Sequence, residues 1–360
     1  MNEPMTVQPE LTRTEQFGRA MTEMLNQAGL AMMTSIGHRV GLFDAMSGLP
    51  PASCRGVAEA AGLDERYVRE WLGAMVAGGV VDLDRDAGLY RLPDEHAAWL
   101  TRQGSLPNAA GSAQWVAVLA GAESRVVEAF RHGRGVPYSA YDRFHEVMAE
   151  QSHQTVVSAL LEQILPMAPG LMERLEGGLS VVDVGCGAGR ALLRMAGAFP
   201  ASRFLGIDAS PEAIALAQDE AGRRGTSNAR FQVMDAAALG PGEAFDLVTA
   251  FDAIHDQARP EAVLRAIHDS LRPGGIFLMQ DISGSGCHHA DRSHAFGTFL
   301  YAISCMHCMS VSLANGGPGL GAMWGKPMAQ VMLREAGFGK VETRESPHDP
   351  LNFYYIATKG

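Results

Sequence analysis

Val181-Val182-Asp183-Val184-Gly185-Cys186-Gly187-Ala188-Gly189-Arg190 is the stretch that decides the fold. An apolar run of strand character ends at Gly185, glycines recur at 187 and 189, and a helical pattern starts at Arg190. Glycine at these positions lets the main chain approach a ligand where a Cβ would collide. The amides that open the following helix favour a negative group such as a carboxylate. A dinucleotide fingerprint needs its third glycine at 190, which is arginine, so a pyrophosphate is disfavoured.

Downstream of this loop, short apolar runs alternate with helical segments. The runs are LSVVDVG, RFLGID, ARFQVMD, AFDLVTAFD and GGIFLMQD, then KVETRE and LNFYYIAT. That alternation predicts an α/β domain, a doubly wound parallel sheet with helices on both faces. The last two runs lie close together and predict an antiparallel edge hairpin. Between GGIFLMQD and KVETRE, residues 282–322 exceed an ordinary loop, which marks the insertion as functional.

Two acids follow the glycines. Asp208 closes RFLGID about twenty residues on, where a carboxylate can accept both hydroxyls of a ribose. Asp235 closes ARFQVMD, where an acid can accept from an exocyclic adenine amine. A tight strand–helix turn accounts for the glycines alone, but not for an acid at each of the next two strand tips. The ligand these residues describe is a nucleoside bearing a carboxylate and no phosphate.

Upstream, the first hundred residues read as helices closed by a small hairpin. Residues 15–42 are amphipathic, with Phe17, Met21, Met24 and Leu25 on one helical face. Asp64 is the expected N-cap of a later helix and Gly78-Gly79 its stop. VVDLDR and LYRLP, around Asp86-Ala87-Gly88, read as two short strands. This is a winged-helix arrangement. Residues 101–178 are expected to be a mainly helical linker and substrate-pocket segment, broken at Gly133–Pro137, ahead of a catalytic domain at 179–360.

Composition narrows the class. The chain has 360 residues, 47% hydrophobic and 19% charged, with 29 Lys+Arg against 40 Asp+Glu and a net charge of -11. Such a chain buries a large core, and it lacks the basic balance that nucleic acid or anionic membrane demands. Five cysteines suit a reducing, cytoplasmic setting rather than a disulfide scaffold. Residues 1–16 lack a basic segment followed by an apolar one, so no signal peptide is expected. No membrane-spanning helix is expected either, since no window approaches ~20 unbroken apolar residues.

The loop and its two acids resemble class I S-adenosylmethionine-dependent methyltransferases, over residues 179–360. The resemblance implies a Rossmann-like, doubly wound seven-stranded sheet ending in an antiparallel hairpin. It implies S-adenosyl-L-methionine as cofactor, held by Asp183, Gly185, Cys186, Gly187, Gly189, Asp208, Ala209, Asp235, Ala236, Phe251 and Asp252. The N-terminal, mainly α-helical part (residues 1–100) resembles the winged-helix dimerisation domain of many small-molecule O-methyltransferases. The whole chain, including FDAIHDQ, LMQDI and CMHCMSVSLANGGPGLGAMWG, resembles the bacterial winged-helix methyltransferases. A family of this kind identifies the cofactor far better than the acceptor.

Methyl transfer from a sulfonium is an in-line displacement, so positioning supplies much of the rate. A hydroxyl or an enolisable carbon also needs a base or a metal. The fourth strand of the sheet ends in Phe251-Asp252-Ala253-Ile254-His255-Asp256-Gln257. His255 could take a proton from a substrate hydroxyl, because an unperturbed imidazole titrates near working pH. Plant-type O-methyltransferases carry a His-Asp pair at this point, and by that resemblance His255 is the base and Asp256 orients it. The plain alternative is a helix-start aspartate beside an exposed histidine.

Related α-keto acid C-methyltransferases hold a metal with a His-acid pair here and a later histidine. By that resemblance His255, Asp256 and His307 form a 2-His-1-carboxylate set for iron or another borderline divalent ion such as zinc. The opposing reading makes His307 a core residue among Met and Cys. Cys305 and Cys308 share a helical face and read as buried soft side chains, since a second pair for a zinc site is missing. Cys287-His288-His289 lies in a Gly/Ser-rich segment read as a mobile lid. Tyr138, Tyr141 and His145, after the glycine-rich break, are expected with His307 to line the substrate pocket.

A winged helix also raises a rival function, a DNA-binding regulator that senses the cofactor. Its recognition helix would begin at Glu65, yet residues 51–100 hold five basic side chains against nine acidic ones. Nucleic acid is therefore disfavoured. The apolar faces of 15–47 fit a homodimer interface better, with a small organic molecule as methyl acceptor.

Overall fold

The computed structural model describes residues 11–104, 107–240 and 244–360. Residues 1–10, which carry most of the stretch read for a leader, lie outside the described residues. The chain divides into two compact units, Met1–Ala117 and Val118–Gly360, and the division falls inside the helix Gln114–His132.

In the first unit a long helix spans Arg13–Arg39, opened by a capping box between Thr12 and Glu15. Gly41, at φ 76°, ends it in the left-handed conformation that favours glycine. Helices Leu42–Ser47, Cys54–Ala61 and Glu65–Ala77 follow, and Asp64 caps the last through the amides of Arg66 and Tyr67. Strands β1 (Asp82–Asp84) and β2 (Leu89–Arg91) pair antiparallel as the wing. Trp71 anchors the small core, its ring edge-on to Phe43 and its Nε1 donating to the Met33 carbonyl at 2.9 Å. The tight pass of the ring over Gly37 leaves no room there for a Cβ. The long helix leaves Phe17, Met24 and Leu25 exposed.

The second unit carries a seven-stranded sheet in the order β5-β4-β3-β6-β7-β9-β8. Its strands are β3 (Ser180–Val184), β4 (Arg203–Asp208), β5 (Ala229–Val233), β6 (Phe245–Phe251), β7 (Leu271–Ile282), β8 (Lys340–Ser346) and β9 (Asp349–Thr358). All neighbours from β5 to β7 run parallel, while β9 enters antiparallel between β7 and the edge strand β8. The strands read as near-continuous apolar runs because both faces are covered. One face packs Leu160, Ile164, Leu171 and Leu192, and the other packs Leu264, Ile267 and Leu333. Strand order reverses between β3 and β6. Open α/β sheets bind ligands at such a switch point, beyond the carboxyl ends of the strands.

Three π-helical turns interrupt the helices of this unit: His153–Val157, Leu160–Ile164 and Ser304–Cys308. Such turns recur at functional sites, since they re-aim side chains within an otherwise regular helix. The third sits in the 282–322 insertion, between helices Gly297–Ile303 and Met309–Ala314. Ser312 Oγ ties this segment to the loop after β6 by donating to the Gln257 carbonyl at 2.9 Å. One sequence expectation needs correction here. The continuous helical run Gly297–Ala314 is long and apolar enough to cross a membrane by length and composition alone. Less than half of this run is buried within the domain.

Candidate functional site

The site is built at the strand tips of the switch point. Gly185, Gly187 and Gly189 all have left-handed φ, at 69°, 52° and 70°. Only one of them faces open space. A Cβ at Gly185 would stand 2.5 Å from Ala253 Cβ, and one at Gly189 would stand 2.5 Å from Phe231 Cε1. A Cβ at Gly187 meets no atom within 4 Å. The collision expected with a ligand is thus, at two of the three positions, a collision with the protein's own packing. Gly187 alone of the three leaves its face open to a ligand.

Around this loop the remaining cofactor candidates fall into place unequally. Asp208 at the β4 tip accepts from the Gly187 amide at 2.9 Å and the Ser210 amide at 2.8 Å. It fixes the loop and stays half-buried at its edge. Asp183 is buried at the β3 tip, where burial raises its carboxyl to about 7 against the lowering effect of the Thr249 hydroxyl, which donates to it at 2.6 Å. Cys186 packs its thiol against the apolar core, so only its backbone belongs to the loop. Ala209 is exposed beyond Asp208, and Ala236 is buried at the start of the 3-10 turn Ala236–Ala238. Asp235 caps that turn through the Ala237 amide and pairs with Arg259 at 2.5 Å. Phe251 ends β6, and Asp252 follows with a strained φ of 51°. Burial first, and then the charges of Asp281 and Asp349 against the opposing pull of His255, push the Asp252 carboxyl well up.

The His-Asp pair differs from its sequence reading in one role. His255 is buried and donates from Nδ1 to Asp281 Oδ1 at 2.7 Å. The same oxygen accepts from Trp324 Nε1 and the Ile282 amide, each at 2.9 Å. Asp281, at the tip of β7, therefore orients the imidazole. The expected orienting residue, Asp256, stands instead at the other nitrogen, with Oδ1 3.3 Å from Nε2. The reason is the chain direction after β6, which turns Asp256 toward the insertion rather than back toward the sheet. Burial opposes a charge on His255 most strongly, yet Asp281 and Asp256 outweigh it and hold its pKa well above the ordinary range. An imidazole near neutrality, as read from the sequence, is thus replaced by one that holds its proton between two carboxylates.

Beside it lies an aromatic group. Tyr138 Oη donates to Asp256 Oδ2 at 3.1 Å, and Tyr141 Oη donates to the Met306 carbonyl. His307 stacks on Phe144 at 4.1 Å between ring centres, with Tyr138 and Tyr141 edge-on. Burial lowers its pKa to about 4, so it is neutral, and its Nε2 is buried without a hydrogen-bond partner. His145 reaches the Ser210 hydroxyl at 3.4 Å. The four pocket residues expected from the sequence are gathered within one cluster, and Phe144 joins them.

The expected metal set is not the one the structure draws tightest. His255, Asp256 and Cys308 bring donor atoms within 4.8 Å of one another; His307, with Nδ1 3.9 Å from Asp256, is near Asp256 but is not part of that set. Cys308 completes the set in place of His307, which stacks on Phe144. Cys308 was read as a core thiol, and burial raises it to about 12. Its only sequence signal was the spacing from Cys305. Asp281 and Trp324 were missed altogether, although Asp281 closes its strand as Asp208 and Asp235 close theirs.

Known proteins agree with this architecture. Residues 28–102 match the family described as Rv2258c-like winged HTH domain, and residues 175–317 match the family described as Methyltransferase domain. Two solved structures share the fold. Human N-acetylserotonin methyltransferase in complex with SAM has a TM-score of 0.69 and 18% identity, covering 98% of this chain and 100% of that one. An O-methyltransferase family protein from Burkholderia thailandensis has a TM-score of 0.68 and 18% identity, covering 98% and 99%. Among curated relatives, the ubiquinone biosynthesis O-methyltransferase of Leptothrix cholodnii is 30% identical over 128 residues, 34% of this chain and 54% of that protein. The chain spans about half the length of the curated relatives it matches. Both family matches give the chain a winged-helix domain followed by a methyltransferase domain, and the fold and strand order agree with class I S-adenosylmethionine-dependent methyltransferases. The cofactor of that class fits the loop: the open face at Gly187, the free amides at the start of Arg190–Ala198 and the acid at Asp208 match its backbone, carboxylate and ribose needs.

Proposed function

We propose that this chain transfers a methyl group from S-adenosyl-L-methionine to the oxygen of a small organic molecule. The observation that carries the reading is the buried His255, held at Nδ1 by Asp281 and facing Asp256 from Nε2, at the strand tip next to the glycine loop. The cofactor supplies an electrophilic methyl on a positively charged sulfur. His255, holding its own proton between Asp281 and Asp256, keeps the Asp256 carboxylate in place at Nε2; the acceptor hydroxyl gives its proton to that carboxylate, and the freed oxygen faces the methyl. Asp281 and Trp324 keep the ring from rotating. The aromatic rings of Tyr138, Tyr141 and Phe144, with His307, support an acceptor with a flat apolar body. The test is His255→Ala, followed by S-adenosylhomocysteine release over a panel of small phenols. Retained cofactor affinity with lost turnover supports the assignment; unchanged turnover removes His255 from the reaction.

One observation favours a second reading, metal-assisted C-methylation of an α-keto acid. Nitrogen, carboxylate and thiol donors from His255, Asp256 and Cys308 suit a borderline divalent ion such as zinc or iron, with His307 alongside. An ion there would have to displace the protons that burial and the carboxylates keep on the thiol and the imidazole. Metal analysis of freshly purified protein, repeated on Cys308→Ala and His307→Ala, separates the two readings.

The exposed apolar face of Arg13–Arg39 supports a homodimer formed by this helix. Light scattering on Leu25→Glu tests it: the parent should have the mass of two chains and the variant the mass of one.

A further inference from the structure

A second polar group lies at the tips of β6 and β7 and the start of β9, on residues that, Asp252 apart, the methyl-transfer reading leaves without a task. Asp349 is buried and saturated with donors: Tyr354 Oη at 2.8 Å, Asn352 Nδ2 at 2.9 Å and Gln280 Nε2 at 3.1 Å. With their NH₂ groups committed to Asp349, Gln280 and Asn352 keep their side-chain carbonyl oxygens without a partner among the described residues. Gln280 is 0% exposed and Asn352 5%. Leaving a buried acceptor unmatched is costly, so two on one face of neighbouring strands call for a ligand group.

The ladder puts them on one surface. Gln280 faces Tyr354 and Ile282 faces Asn352, which sets Gln280 and Asn352 two positions apart on the same face of β7 and β9. Asp252 follows Phe251, the β6 partner of Gln280, and its amide donates to the Gln280 carbonyl at 3.0 Å. Its Oδ1 is also buried and unpartnered. The left-handed backbone of Asp252, at φ 51°, is strained for a non-glycine residue. Strain of this kind survives where it aims a side chain at a functional site.

Every unmatched atom in this group is an acceptor. Among the described residues, no lysine or arginine forms an ion pair with Asp252, Asp281 or Asp349, and His255 is the one cationic partner, bound to Asp281. Buried carboxylates short of positive charge are costly. The matching group is therefore a hydrogen-bond donor, and a positive charge on it would replace the proton that burial keeps on Asp252. Strands lie about 4.8 Å apart, so β7 and β9 stand roughly 10 and 14 Å across the sheet from the glycine loop on β3. That is the half of the site left for the acceptor.

We propose that Asp252 Oδ1, Gln280 Oε1 and Asn352 Oδ1 form a subsite for a primary ammonium group carried by the methyl acceptor. Three oxygens meet the three N–H bonds of an alkylammonium, and Asp252 with Asp349 behind it balances the charge. The acceptor class is then a small amine or amino acid bearing the methylated oxygen elsewhere. This subsite rests on the methyltransferase reading.

The test uses the full chain saturated with S-adenosylhomocysteine, whose calorimetric heat of binding reports on the methyltransferase reading separately. Melting is followed in methylammonium, potassium and tetramethylammonium chloride at equal ionic strength. Methylammonium should stabilise at a concentration at least ten-fold below that needed for the other two, and Asn352→Leu should abolish the preference. Equal responses to the three salts overturn the proposal, as does a preference for potassium, which would mark a monovalent metal site. Desamino-S-adenosylhomocysteine gives the second arm. Asn352→Leu should leave the ratio of its affinity to that of S-adenosylhomocysteine unchanged; a collapse of that ratio would assign the subsite to the cofactor's own amine and overturn the claim.

Discussion

Alanine at Gly187 and at Gly189 should separate ligand binding from folding, because the two positions share a backbone conformation and differ in what a methyl group meets. Each has a left-handed φ, and alanine there costs about 1–2 kcal/mol. At Gly189 the new Cβ also stands 2.5 Å from the Phe231 ring and 2.9 Å from Ala217 Cβ. Overpacking of this kind adds roughly 1–3 kcal/mol, for a total of about 2–5 kcal/mol. In a domain of this size that lowers Tm by roughly 5–20 °C. At Gly187 no atom lies within 4 Å, so the stability loss stays at the backbone cost alone. The same methyl, however, projects into the space assigned to the cofactor. Displacement of a bound group by one methyl costs on the order of 1–3 kcal/mol, a loss of about ten- to hundred-fold in affinity. Thermal unfolding and calorimetric titration with S-adenosylhomocysteine read the two effects. Gly187→Ala should melt near the parent and bind poorly, and Gly189→Ala should melt low. A Gly187→Ala protein that binds as the parent does refutes the cradle.

Three further outcomes follow from the site. Asp281→Asn should lower the His255 titration midpoint, since one of the two carboxylates that hold its proton is gone; NMR of the ring Cε1–H gives the midpoint, and an unmoved value would detach Asp281 from the pair. Asp183 titrates near 7 in the fold against an ordinary 3.8, so its neutral form stabilises the protein fully below pH ~4 and that contribution fades as pH rises through about 7, up to ~4 kcal/mol in all. Denaturant midpoints from pH 5 to 8 should therefore fall less steeply in Asp183→Asn than in the parent. Trp324→Phe removes one donor from Asp281 and should cost about 1 kcal/mol of stability, read by the same unfolding curves.

The parts legible in the sequence were those governed by local periodicity. Strand runs, the glycine loop, the Asp64 cap and the acids at 208 and 235 each depend on neighbours a few residues away, and each stands where the pattern put it. Partnerships across the fold were not legible. Asp281 and His255 are 26 positions apart and meet only because β6 and β7 lie side by side, with Trp324 arriving from beyond the insertion. Spacing assigned Asp256 to His255 because the two are adjacent in the chain, whereas a neighbour in sequence seldom reaches the hydrogen-bonding edge of the ring that faces the core. Cys308, not His307, joins His255 and Asp256, and both sit in a π turn that no residue pattern announces. The surroundings then decided the charges: the carboxylates of Asp281 and Asp256 raise His255 against its burial, while burial lowers His307, although both are histidines of one pocket.

Calorimetric titration of the purified chain with S-adenosylhomocysteine addresses the cofactor site most directly, with Asp208→Ala measured beside it. Saturable heat at one site per chain, at least ten-fold weaker in Asp208→Ala, is the expected result. Absence of heat, or equal binding by both proteins, would contradict the assignment of the 185–189 loop and Asp208 to an adenosyl ligand.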